Sequence, residues 1–473
     1  MSLLIKNGVI VSAQDEYEAD VFVEDGKISA IGENLRGEAD EIVDAEGMYL
    51  LPGGVDQHVH YSFEYKGNRS RGFETTDAAV IGGTTTVVEF VNQERGKGLI
   101  ESLEDYNEKK VKDKAMADYS FHAVITDPSD DIYEEIRELP EAGYSQIKLF
   151  MAYKGQFFHS DDQTLAKAMK VAGEVGVTTF VHAENADMID ILEKELVEEG
   201  KMGPYSHALS RPPLVETEAT ERAIRIAEFA DAPLYIAHVT NKDSVDAIRR
   251  AQERGLSVYG ETCTHYLLLD KENLNKEDFE GAKYVLAPPL REQDDIDYLW
   301  KSVQNNWLNA ISTDHCAYNF EDEKHIGIND WRDIPNGAPG VQNRLGILWT
   351  IGVETGKISP SKLVDLFATT PAKVAGLGDR KGKIAIGYDA DMVIYNPEVK
   401  ETISYKTNAE GVDYSPYEGM EQIGRAETVF LRGQKVVEDG EYVGKGEGQG
   451  EFIPGKAYGL AYDHFEKSKN KNF

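Results

Sequence analysis

The sequence predicts an α/β protein, a TIM (β/α)8 barrel with a small composite β-sandwich domain formed by both termini. Three observations carry the prediction. Apolar, β-branched runs recur eight times through the middle of the chain, helical stretches separate them, and a turn-rich strand texture occupies the two ends. Eight parallel strand–helix units are the number that closes such a barrel.

Residues 1–51 read as short strands, SLLIKNGVIVS, ADVFVEDGKISAIG and EIVDAEGMYLL, with Asn7-Gly8, Asp25-Gly26 and Glu46-Gly47 where tight turns belong. Residues 52–373 hold the barrel strands: GGVDQHVHY, GTTTVVEFV, YSFHAVIT, YSQIKLFMAY, VTTFVHAEN, APLYIAHVT, LSVYGETCTHYLLL and NAISTDH. The segments between them, such as DDQTLAKAMKVAGEVG and VETEATERAIRIAEFAD, carry apolar residues at three- and four-residue spacing, the helical period. Residues 374–440 return to strand texture in GKIAIGYDADMVIYNP and AETVFLRGQKVVEDG and complete the small domain. Residues 441–473, rich in Gly and Lys, read as an extended C-terminal arm.

Fifty basic against 84 acidic side chains leave a net charge of −34. That balance speaks against nucleic-acid and anionic-membrane partners, whose contacts need clustered Lys and Arg. No apolar run approaches the ~20 residues that span a bilayer. The apolar start is broken by Lys6 and Asn7 and reads as strand rather than signal peptide. Two cysteines, Cys263 and Cys316, offer no disulfide framework and suit a reducing, cytoplasmic compartment.

The chemistry starts at His58-Val59-His60. On a strand, side chains two apart share a face, so both imidazoles converge on one point. Later strands end in further metal-capable or titratable groups: Lys148 in QIKLF, His182 in FVHAEN, His238 in IAHVT and Asp314 in ISTDH. A barrel brings strand ends to one mouth. Imidazole with carboxylate suits zinc and its neighbours. His122, His207 and His265 read as hydrogen-bonded structural histidines, and Lys148 alone would equally suit a pair with a buried carboxylate.

These stretches, with DAEGMYLLPGGVDQHVH, GYSQIKLFMAYKG, ISTDHC, IPNGAPGV and GKIAIGYDADMVIYNP, resemble the hydantoinase/dihydropyrimidinase family of the amidohydrolase superfamily along nearly the whole chain. The resemblance implies two divalent ions, zinc first with manganese or cobalt also suited, and a cyclic ureide as the small-molecule substrate. His58, His60 and Asp314 would hold one ion, and His182 and His238 the other. Lys148 would take up CO2 and bridge both as N6-carboxylysine. Tyr153 would donate to the developing oxyanion, and Asp314 would act as base and then acid, giving an N-carbamoyl amino acid. Asn336 and Ala287 would hold the ureide edge, Ala287 standing where the family usually has serine. Phe63, Tyr65, Phe150 and Phe157 are expected pocket walls. The loop with Lys66, Arg69 and Arg71 departs from the apolar loop usual in the family and suggests a polar or anionic substituent. A homotetramer or homodimer is implied, with the C-terminal arm reaching a neighbour.

The rival readings are an allantoinase- or dihydroorotase-like amidase and a non-catalytic dihydropyrimidinase-related scaffold; GFETTDAAVIGGTTT would not be out of place in an allantoinase, while KLFMAYKG and STDHC pull the other way. Such scaffolds lose metal ligands, and here all six are in place. No GxSxG elbow, P-loop or dinucleotide fingerprint is present.

Overall fold

The computed structural model describes residues 2–35 and 39–459. Its centre is an eight-stranded parallel sheet closed into a TIM barrel, with the strands in chain order around the ring. β1 is Gly54–Val59, β2 Thr84–Asn92, β3 Asp118–Val124, β4 Gln146–Phe150, β5 Thr178–His182, β6 Leu234–Ile236, β7 Val258–Cys263 and β8 Ala310–Ser312. Each falls on one of the eight expected segments. Burial does not alternate along them because both faces are covered, and every residue of β1 and β3 is buried, polar ones included.

The helices obey their own end signals. α1, Asp162–Val175, starts where the Asp161 carboxylate accepts from the Thr164 amide at 2.8 Å, and it stops at Gly176, whose φ is +73°. α2, Pro213–Ala230, has proline in its first turn and ends at a left-handed Asp231. Leu165, Ala168, Met169 and Ala172 of α1, and Ala219, Ala223 and Ala227 of α2, are the buried stripes.

The ring closes between β1 and β8. Val59 bridges to His315, and the His60 amide donates to His315 O at 2.7 Å. Beneath this seam lies a fully buried ion pair, Arg344 Nη1 to Asp56 Oδ1 at 3.7 Å. Arg344 also donates to Val55 O (3.0 Å) in β1 and to Thr84 Oγ1 (3.0 Å) in β2. Asp56 accepts from the Thr313 hydroxyl at 2.6 Å, so the pair ties the first strand to the last. Burial pushes the Asp56 carboxyl up, against Arg344, which pulls it down. The seam leaves no room beside Gly54, where a Cβ would stand 2.2 Å from the Phe367 ring.

The terminal segments meet in one nine-stranded sheet, whose parts end at Pro52 and Tyr442, just past the expected limits of 51 and 440. It is a single hydrogen-bonded sheet rather than two. Strand Ser2–Val11 pairs Glu41–Asp44 with its first half and Tyr49–Pro52 with its second, turning at a bulge between Ile5 and Gly8. Met392–Thr402 then pairs with Tyr49–Pro52. Leu3, Ile5, Val21, Leu50, Met392 and Phe430 belong to a core separate from that of the barrel. Lys381, buried, joins the two units through Asp118 (2.6 Å) at the start of β3 and Asp391 (2.7 Å) before the sheet.

Through Gly459 the C-terminal arm packs on its own barrel, crossing the starts of three strands. Gly450 donates to Ala115 O (2.8 Å), Ile453 to Tyr119 O (2.8 Å), Gly455 to Gly143 O (2.7 Å) and Tyr458 to Gly176 O (2.8 Å). Apolar residues hold it there: Phe452 lies 5.6 Å from Phe121 and 5.5 Å from Tyr144, and Ile453 is fully buried. Residues 460–473 lie outside those described. Among the described residues no helix is long and apolar enough to cross a membrane.

Arg344→Met should leave Asp56 buried without its cation and destabilise the fold by about 3–5 kcal/mol. Urea unfolding reads this directly, and Asp56→Asn added to the same variant should recover part of the loss.

Candidate metal centre

At the C-terminal mouth of the barrel is a cavity of about 470 Å³. Its lining includes His58, His60, Lys148, His182, His238 and Asp314, together with Tyr153, Ala287, Asn336, Phe63, Tyr65, Phe150 and Phe157. The elements explain the convergence. His58 and Lys148 lie within β1 and β4, and His182 ends β5. His238 and Asp314 follow β6 and β8 by two residues and adopt left-handed backbones, with φ of 37° and 51°; Tyr153 beyond β4 does the same at 61°. Such conformations are strained for residues with a Cβ and hold a side chain at an angle that a regular strand exit would not give.

Asp314 Oδ1 stands 3.2 Å from both His58 Nε2 and His60 Nε2. His58, His238 and Asp314 each offer a ligand atom within 4.8 Å of the others, and the His182 and His238 rings are 4.5 Å apart. Burial pushes the Asp314 carboxyl up, but His58 and His60 outweigh it and hold the group well below the usual carboxylate range.

Two carboxylates orient the histidines from behind, and the sequence reading missed both. Glu261 on β7 accepts from His58 Nδ1, leaving Nε2 toward the cavity. Glu184 accepts from His182 Nε2 at 2.7 Å and is itself held by Arg211 at 2.9 Å. A carboxylate behind a ligating imidazole fixes its tautomer and raises its basicity. The only local signal was the sequence itself, HAE and GET, and neither motif marks a carboxylate that faces a histidine. Arg211 also lies 5.5 Å over the Tyr153 ring and offsets the burial that raises the Tyr153 phenol.

Lys148 is fully buried, and its Nζ has no hydrogen-bond partner among the described residues. It lies 4.5 Å from the Phe90 ring and 5.2 Å from Phe150. Among the described residues it forms no ion pair with a carboxylate. Burial pushes its pKa down to about 8, which leaves a substantial neutral fraction, the form that attacks CO2. An orphaned buried amine among imidazoles and a carboxylate is a donor set that fits divalent metal and a carbamate.

His122 Nε2 donates to Gln57 O (2.8 Å) and the ring stacks on Phe90, His207 Nε2 donates to Leu286 O, and His265 packs on Tyr266. All three are buried. Of the basic loop, only Lys66 borders the cavity, and it is paired with Asp333. Arg69 faces Glu74 at 3.8 Å and Arg71 binds Glu323 at 3.0 Å, so neither is free for a substituent. Phe157 stays 62% exposed at the mouth.

The chain matches the family model described as "Amidohydrolase family" over residues 49–436. It is 45% identical to a D-hydantoinase of Ralstonia pickettii over 97% of this chain and all of that one. A D-hydantoinase of Geobacillus stearothermophilus is 43% identical over 97% of this chain and 98% of its own. The crystal structure of a dihydropyrimidinase from Brevibacillus agri superposes with a TM-score of 0.94 at 42% identity, covering 97% of this chain and 99% of that one.

Glu261→Gln should weaken zinc binding about 10–100-fold through misorientation of His58, measured by competition with a chromogenic chelator.

Proposed function

The chain belongs to the amidohydrolase family, and from that premise we propose that it hydrolyses the cyclic amide bond of hydantoins or dihydropyrimidines to N-carbamoyl amino acids. The observation that carries this reading is the convergence of six metal-capable side chains and Tyr153 on one cavity. His58, His60 and Asp314 would hold one ion, His182 and His238 the other, and Lys148, as its carbamate, would bridge them. When bound, the ions, zinc by preference, supply a water of lowered pKa and polarise the carbonyl under attack.

The chain's own residues do the rest. Asp314 takes the proton of the attacking water on its carboxylate and returns it to the ring nitrogen as the C–N bond breaks. Water thus adds hydroxyl to the carbonyl carbon and hydrogen to nitrogen. Tyr153, whose phenol keeps its proton under burial, donates to the oxygen that gains charge. The ureide edge lies against Asn336 and the backbone of Ala287. That backbone makes no hydrogen bond among the described residues, so alanine in place of serine leaves the contact intact. Phe63, Tyr65, Phe150 and Phe157 form the walls for the ring and its substituent. The enzyme works in the cytoplasm as a homotetramer or homodimer, a state that light scattering measures.

Ring opening is assayed with zinc-supplemented protein in bicarbonate on dihydrouracil, hydantoin, 5-substituted hydantoins, allantoin and dihydroorotate. Turnover of the first three classes with the last two inert is expected; preference for allantoin or dihydroorotate would replace the substrate assignment. Tyr153→Phe should lower kcat about 10²–10³-fold, and Lys148→Ala should lose both bound metal and turnover.

A further inference from the structure

Two backbone strips, Val285–Pro288 and Pro335–Gly337, meet at the cavity wall, and their polar groups divide into held and free. The Val285 carbonyl accepts from the Gly337 amide at 3.0 Å, stitching the strips together. The carbonyls of Leu286 and Pro288 are held from behind by His207 Nε2 and the Tyr266 hydroxyl, each at 2.5 Å. Ala287 alone of this strip has both amide and carbonyl without a partner among the described residues, and it borders the cavity with Asn336.

Behind the junction sits Lys324, a fully buried amine on the short helical turn Lys324–Gly327. Its Nζ donates to Pro335 O at 2.9 Å and lies 3.5 Å from Val285 O, one residue before Asn336 and two before Ala287. It forms no ion pair among the described residues, so its hydrogens go to backbone carbonyls only. Buried amines are rare because desolvation disfavours their charge, and one spent on two carbonyls fixes those carbonyls strongly.

We propose that Lys324 is a positioning residue for substrate, pinning the two strips so that the free backbone groups of Ala287 and the side chain of Asn336 present one rigid edge to the amide face of the ring. This rests on the function proposed above. Neither Lys324 nor His207 borders the cavity, so each acts through the strips and not by touching substrate.

Lys324→Met keeps the side chain's length and removes its donors. With dihydrouracil or hydantoin as substrate, KM should rise about tenfold, the value of one lost hydrogen bond, while kcat and zinc content stay near the parent's. Amide hydrogen exchange in substrate-free protein should quicken in peptides covering 285–288 and 335–337. His207→Leu should show the same pattern, and His207→Gln, which keeps a donor for Leu286 O, should restore it; this pair carries the test if Lys324→Met does not fold. An active parent whose variants keep KM, or lose kcat and zinc in step with KM, would overturn the proposal alone. A parent that opens no cyclic ureide or dihydropyrimidine would overturn the underlying function and the proposal with it.

Discussion

Closure of the barrel between β1 and β8 is the constraint on which the rest depends. His58 and His60 come from the first strand and Asp314 from just beyond the last, so the 3.2 Å contacts among them exist only if the ring shuts in register. The register is fixed by the buried pair of Asp56 and Arg344 and by the Thr313 hydroxyl on Asp56, directly below the reacting groups. A one-residue slip would turn both histidines into the wall. A buried ion pair is poor value as stabilisation, but it penalises every misregistered closure that leaves either charge unpaired.

Above the seam, the site is built in shells of alternating charge. Imidazoles face the cavity, carboxylates stand behind them, and Arg211 stands behind Glu184. The two carboxylates fix the orientation of His58 and His182. Lys148, by contrast, is an amine without a hydrogen-bond partner among the described residues.

Much of this was readable in the sequence because a barrel maps strand ends onto one place. His182, His238 and Asp314 each stand at or just past the end of an apolar run, a position visible without coordinates, whereas Lys148 lies two residues inside its strand. Glu261 was not, since a carboxylate inside YGETC has no mark that it faces His58 across the barrel. Arg211 and Lys324 sit in irregular segments whose partners are far along the chain, where no periodicity reports contact. Left-handed backbones at Tyr153, His238 and Asp314 are likewise set by tertiary packing and not by local preference. The basic loop hid its partners for the same reason: Asp333, Glu74 and Glu323, which stand beside Lys66, Arg69 and Arg71, carry no local mark of those contacts.

The composite sheet has a consequence in time. Tyr49–Pro52 leaves the ribosome early, but the strand that covers its edge, Met392–Thr402, is made about 340 residues later. At roughly 5–20 residues per second, that is on the order of half a minute of synthesis. Throughout it, an apolar strand with an unpaired edge is held near other nascent copies on the same message. The barrel's floor waits longer still, until Ile453 arrives to seal it. The sheet edge is therefore covered before the barrel floor is sealed, and chains stalled ahead of Met392 carry an open edge and an open floor together.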